Sequence, residues 1–346
     1  MDGAKGPIGY PFATPPEPGE VVEIAPGVLW TRLPLPKPLE HVNVYILEDE
    51  DGWTVVDTGL DTRLGREIWG RLLAGPLAGR PVARVLATHH HLDHLGLAGW
   101  FQKEHGAELL ATRTCWLMAR MLTLDVQERP TEETLAFWRG AGMDPETYAR
   151  RLTERPLNFS DAVHPMPLGF RRLKDGDRLR LAGRDWAIRT GDGHSPEHAT
   201  LWSRDDALVI TGDQVLPSIS SNLGVYATEP DADPVGDWLA SCERLRQFAR
   251  GDQIGLCGHG RPFTGLPVRF RQLIDNHHSA LERLLAALDE PKTAADCFPV
   301  LFKRPIGTGE YGLALVEAVG HMNHLHATGR VTRTRRADGA WLFRAV

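Results

Sequence analysis

The feature that most constrains this chain is the run Thr88-His89-His90-His91-Leu92-Asp93-His94, which follows directly on the apolar stretch Val82–Ala87. Four histidines and one aspartate stand within six residues. In an extended segment, side chains two apart point the same way. His89 and His91 can therefore reach one metal ion together, while Asp93 and His94, beyond the turn, can face a second. Neutral imidazole and carboxylate suit zinc, iron, manganese or cobalt, and the absence of a neighbouring cysteine argues against a thiolate site.

Three later motifs have the same form, a polar residue at the end of an apolar strand. Gly191-Asp192-Gly193-His194-Ser195-Pro196 places His194 in a glycine-rich turn. Thr211-Gly212-Asp213 places Asp213 after Leu208, Val209 and Ile210, and Gly258-His259-Gly260 places His259 after Ile254–Cys257. Ligands gather at strand ends in layered α/β folds, so the four motifs form one joint signal.

The organisation of the chain supports such a fold. A length of 346 residues suits one large domain and a small one. Hydrophobic residues at 42% and charged residues at 24% describe a globular chain with a sizeable core. The net charge of −6 gives no bulk attraction to nucleic acid. No run of about 18 apolar residues calls for a membrane span, and no signal peptide is visible at Met1-Asp2-Gly3. Four scattered cysteines (Cys115, Cys242, Cys257, Cys297) point to reduced thiols and a cytoplasmic location.

Residues 1–20, rich in Pro and Gly, read as an extended arm. Strands are expected at Val28–Arg32, Val42–Leu47 and Trp53–Val56, the last two joined by the turn dipeptide Asp51-Gly52. A helix at Arg63–Ala74 and the buried strand Val82–Ala87 follow. Residues 113–156 carry Trp116, Leu117, Met121, Phe137 and Trp138 among balanced charges and read as a helical insertion. Strands return after Phe170, a helix spans Pro234–Ala249, and Val268–Leu288 follows a 3.6-residue apolar period. The main domain is thus expected over 21–265. Residues 266–346 end in the order helix, helix, hairpin (Val331–Arg335, Trp341–Ala345), which is winged-helix-like.

The H-x-H-x-D-H run with His194, Asp213, His259 and the strand-end Asp57 of Val56-Asp57-Thr58-Gly59 resembles the metallo-β-lactamase fold superfamily of metallo-hydrolases. Pro34-Leu35-Pro36, His41-Val42-Asn43, the Gly193–His198 run and the C-terminal unit are similar to its glyoxalase-II-like and endoribonuclease-like branch. The resemblance implies an αββα sandwich with two divalent metal ions, zinc first, manganese or iron next. It implies that His89, His91 and His194 hold one metal, that Asp93, His94 and His259 hold the other, and that Asp213 bridges them. Asp57 would orient the site without binding metal. The expected chemistry is attack of a metal-bridged hydroxide on an ester, thioester or lactone of a small molecule, with Asp93 holding or moving a proton.

Ser195 reads as a turn hydroxyl, His198 as a supporting or packing group, and His277 as a core or interdomain contact. His321 and His324 read as a surface face, and Asn222 and Tyr226 as candidate pocket residues only. Two other functions compete. Arg330, Arg333, Arg335, Arg336 and Arg344 on the terminal hairpin would suit an endoribonuclease or phosphodiesterase gripping phosphates. The superfamily also holds mononuclear-iron sulfur dioxygenases, against which the full set of seven ligand positions argues. A homodimer is compatible with the sequence.

Overall fold

The computed structural model describes residues 8–36 and 39–346, so the arm read over residues 1–20 is seen only from residue 8. The chain packs as two compact units. One holds the chain up to Val126 together with Asn158–Ser221 and Leu245–Phe270. The other holds Gln127–Leu157, Asn222–Arg244 and Arg271–Val346.

The first unit contains two sheets. One has seven strands in chain order: β1 (Val22–Ala25), β2 (Val28–Pro34), β3 (His41–Asp49), β4 (Gly52–Val56), β5 (Val82–Leu86), β6 (Glu108–Thr112) and β7 (Arg171–Leu173). β1 to β4 form an antiparallel meander, and β3 turns into β4 at Asp51-Gly52. β5, β6 and β7 add in parallel. Parallel neighbours need crossover connections. These carry α1 (Arg63–Ala74) before β5, α2 (Leu92–Leu95) and α3 (Ala98–His105) before β6, and α4 (Arg113–Leu124) after it. The second sheet runs β13 (Phe263–Thr264), β12 (Ile254–Cys257), β11 (Leu208–Gly212), β10 (His198–Ser203), β9 (Arg184–Gly191), β8 (Arg178–Leu181), with β11 and β12 parallel.

Strand alternation builds two cores from one sheet. In β3, Val44 and Ile46 join Ile68, Trp69 and Leu72 of α1 and Phe101 of α3. Tyr45 and Leu47, one residue out of phase, join Trp186, Ile188, Leu201 and Ile210 of the other sheet. The first unit is therefore a mixed α/β sandwich of two sheets flanked by helices. α1 starts where Thr62 Oγ1 accepts the Gly65 N–H at 3.0 Å, satisfying one of its unpaired first-turn donors.

The second unit holds α5 (Glu132–Gly140), α6 (Pro145–Arg151), α7 (Pro234–Leu245), most of α8 (Leu266–Ala287), α9 (Phe298–Phe302), α10 (Tyr311–Ala327) and the hairpin β14 (Val331–Arg335) and β15 (Trp341–Ala345). The stretch 113–156 divides between the units. Cys115 and Ala119 of α4 lie in the core of the first, whereas α5 and α6 lie in the second. The surface face expected for His321 is corrected. α10 is buried almost all round, and His321 is 1% exposed with Nε2 3.4 Å from His277 Nδ1. His324 faces Asp233, at 3.0 Å. Among the described residues, no helix is long and apolar enough to cross a membrane.

Trp69 joins the core to the chain beyond β4: it is fully buried, edge-on to Phe101 at 4.8 Å, and its Nε1–H donates to Thr58 O at 2.9 Å. Trp69→Ala should lower the unfolding free energy by about 3–5 kcal/mol in urea titrations. A loss under about 1 kcal/mol would mean that this contact does not anchor the fold.

Candidate metal centre

All seven sequence-predicted ligand residues belong to the first unit, and each sits at or just beyond a strand end. β5 leads into His89, His91, Asp93 and His94; β9 into His194; β11 into Asp213; β12 into His259. Three overlapping groups result: His89, His91 and His194; His89, His94 and Asp213; Asp93, His94 and His259. Within each, one donor atom per residue lies within 4.8 Å of the others. Asp213 Oδ2 is 3.2 Å from His259 Nε2, 3.5 Å from His94 Nε2 and 3.6 Å from His194 Nε2. Asp93 Oδ2 is 3.3 Å from His259 Nε2 and 3.5 Å from His94 Nε2. His89 Nε2 and His91 Nδ1 stand 3.1 Å apart.

This donor set fits divalent metal ions. His94 Nε2 and Asp213 Oδ1 are buried and make no hydrogen bond, an expensive arrangement for polar atoms without a further partner. Nitrogen and carboxylate oxygen atoms converge, with no thiolate among them, which suits zinc, manganese or iron.

The atoms behind the cluster determine which ring nitrogens face it. Asp57, at φ 62° just after β4, accepts the Thr88 N–H, the Thr88 hydroxyl and His94 Nδ1–H, each at 2.8 Å. The last bond leaves Nε2 of His94 facing inward. His259 Nδ1–H likewise donates to His41 O at 2.8 Å, leaving its Nε2 toward the two aspartates. Asp57 thus stands behind the cluster, bonded to Thr88 and His94.

Several supporting residues escape sequence reasoning. Asn43 Nδ2 donates to Cys257 O at 2.8 Å and Gly260 O at 3.0 Å, and Tyr45 OH donates to Cys257 O at 2.8 Å. Together they fix the His259 turn to β3 of the opposite sheet. Gly258 is required there, because a Cβ would overlap Asp213 Oδ1. His198 is fully buried, stacks on His89 with ring centroids 4.6 Å apart, and accepts the Asp213 N–H on Nε2 at 3.1 Å. His198 does not escape: the sequence reads it as a supporting or packing group, within the Gly-His-Ser-Pro-x-His run. Asn222 and Tyr226 belong to the second unit.

Charge within the cluster follows from burial and neighbours. Burial pushes His89 and His91 well below the usual imidazole value, and neighbouring histidines add to the shift. Burial likewise takes His198 down to about 3. Burial also opposes charge on His259, yet Asp213 and Asp93 outweigh it and raise the imidazole to about 10. The same balance, with Asp213 foremost among the carboxylates, raises His94 well above its ordinary value. Burial disfavours ionised Asp213, but His259 and His94 hold it well below the usual carboxylate range.

The sequence matches the family model of the Metallo-beta-lactamase superfamily over residues 38–287, and the model "Metallo-beta-lactamase-like, C-terminal domain" over residues 281–346. A solved beta-lactamase domain protein from Burkholderia ambifaria is 35% identical, covers 98% of each chain and superposes with a TM-score of 0.90. A metallo-beta-lactamase family protein from Thermus thermophilus is 29% identical over 94% of this chain and 100% of that one, at a TM-score of 0.77. The probable metallo-hydrolase YqjP of Bacillus subtilis is 26% identical over 88% of this chain and 94% of its own. An acyl-coenzyme A thioesterase of Gallus gallus is 26% identical over 64% of this chain and 73% of its own. Matched by the family model over most of its length, with the fold and the strand-end histidines in place, the chain belongs to the metallo-beta-lactamase superfamily of metallo-hydrolases.

Proposed function

We propose that the chain is a dinuclear metal-dependent hydrolase that cleaves an ester, thioester or lactone bond of a small molecule. The observation that carries this is Asp213 Oδ2, within 3.2–3.6 Å of imidazole nitrogens from three different loops. His89, His91 and His194 would hold one ion; Asp93, His94 and His259 would hold the other; Asp213 would serve both. Zinc is the first choice, with manganese or iron next. When bound, the ions would supply Lewis acidity, bringing the pKa of a water toward neutrality and polarising the substrate carbonyl.

The chain's own groups supply orientation and a proton acceptor. Asp57 and His41 O fix the tautomers of His94 and His259. Asp93 keeps 16% of its side chain exposed, against 0–7% for His94, His194, Asp213 and His259. Burial opposes its ionisation, but His94 and His259 keep its carboxyl below the ordinary value. It is therefore ionised at neutral pH and is the accessible group able to take a proton.

The thioesterase name of the Gallus gallus relative supports an acyl substrate. The arginines of the terminal hairpin support a small molecule over RNA. Arg330 pairs with Glu282 at 2.9 Å, Arg333 with Asp231 at 2.9 Å, and Arg336 with Asp338 at 2.8 Å, while Arg333 and Arg335 also lie over Trp341. Cations so engaged leave little charge for a phosphate backbone. Four buried free thiols suit a reducing cytoplasm.

Protein purified without added metal or chelator should carry about two metal equivalents by elemental analysis and hydrolyse acyl thioesters or lactones. One equivalent of iron and no hydrolysis would replace this function with sulfur oxygenation. Asp213→Ala should reduce metal affinity beyond the roughly 10–100-fold cost of losing a supporting partner, with turnover falling alongside. Unchanged turnover would refute the assignment of Asp213.

Metal loading should also release protons. With His94 and His259 raised above their ordinary values, both are protonated at pH 7 in metal-free protein, and each must lose a proton to present Nε2. Zinc titration by calorimetry in buffers of different ionisation enthalpy should give at least two protons released per chain, one from each imidazole and a further one where the bound water ionises, and affinity should rise with pH up to the His259 value of about 10. Proton uptake, or affinity falling with pH, would contradict these charge states.

A further inference from the structure

Ser195 and His90 flank the metal centre and take no part in the function proposed above. Ser195 Oγ lies 2.8 Å from His90 Nδ1. Each follows a candidate ligand in sequence, Ser195 after His194 and His90 between His89 and His91. The pair has the form of a nucleophile and its base, but the burial argues against that role: Ser195 is 1% exposed and His90 8%, so no substrate carbonyl can reach the hydroxyl. A buried imidazole hydrogen-bonded to a buried hydroxyl is a fixed joint.

The joint connects two loops. One runs from β5 and carries His91, the other from β9 and carries His194. The His90 ring packs edge-on against His91 with centroids 4.7 Å apart, and His91 stands edge-on to His194 at 4.5 Å. The two loops are more than 100 residues apart in sequence, so their relative placement depends on contacts of this kind. We propose that Ser195 and His90 are positioning residues: their hydrogen bond sets the spacing of His91 and His194, and thereby tunes the three-histidine cluster without affecting the Asp93, His94 and His259 cluster. The proposal rests on the dinuclear metal reading, because it assigns the joint to one of two sites.

The test is a two-site zinc titration against a chromophoric chelator, which reads affinity and needs no substrate. Ser195→Ala should weaken one of the two sites by about 10–100-fold and leave the other within about threefold. Ser195→Thr keeps a hydroxyl and should restore most of the loss. His90→Phe keeps a ring against His91 but removes the bond, so it should reproduce the Ser195→Ala loss, and the double variant should be no worse than either single one. If Ser195→Ala fails to fold, His90→Phe and Ser195→Thr carry the test unaided. Equal weakening of both sites, or no weakening of either, overturns the positioning role while leaving the hydrolase standing. A wild-type chain that binds no zinc, manganese or iron overturns both.

Discussion

The Asp57 carboxylate is the interaction on which the site depends. It is 3% exposed, and a carboxylate so buried is tolerated only when its oxygens are hydrogen-bonded. It accepts three such bonds, two from Thr88 and one from His94. The Thr88 pair fixes the end of β5 to the end of β4, and the His94 bond orients the ring that stands between both aspartates of the centre. The residue also sits at φ 62°, a left-handed conformation that aspartate tolerates better than branched residues. The chain thus turns sharply at the strand end instead of extending β4. Thr58 continues the turn: its N–H and hydroxyl both reach His94 O, at 2.6 and 3.1 Å, and its own carbonyl takes the Trp69 indole. A polar cluster and a hydrophobic core are joined within two residues.

Both sheets are needed to complete the centre. β5 belongs to the seven-stranded sheet, whereas β9, β11 and β12 belong to the other, and their ends meet at one edge of the sandwich. Asn43 and Tyr45 of β3 hold that edge closed by bonding to Cys257 O and Gly260 O. Tyr45 faces the core between the sheets, so its ring contributes apolar burial while its hydroxyl satisfies a carbonyl beside His259.

The candidate ligand residues stand out in the sequence because each lies beside a short apolar run and carries chemistry that such positions rarely need. Asp57 is legible for the same reason. Asn43 and Tyr45 are not legible as supports, because their partners are more than 210 residues away and nothing in Val-Asn-Val-Tyr indicates a distant carbonyl. His90 alternates away from His89 and His91, which excludes it as a third ligand in that row but says nothing of Ser195. The spacing of His321 misleads. A histidine three residues from another suggests an exposed pair only if that helix has an exposed face, and α10 has almost none. The division of 113–156 is hidden because α4, α5 and α6 share the same mixture of charge and aromatic residues, while only packing decides which core each joins.

The cost of gathering these groups explains the shape of the centre. Burial alone would neutralise every imidazole, as it does His89, His91 and His198, and would oppose charge on both aspartates. The cluster divides the problem: His89, His91 and His198, all lowered, lie together, and the carboxylates pair with His94 and His259, both raised. Without metal, protons provide the positive charge that Asp93 and Asp213 require. A divalent ion would provide the same charge while freeing Nε2 of both histidines to bind it, so folding and metal binding would be linked through one electrostatic requirement. The buried His94 Nε2 and Asp213 Oδ1, which make no hydrogen bond, are the atoms whose desolvation that exchange would offset.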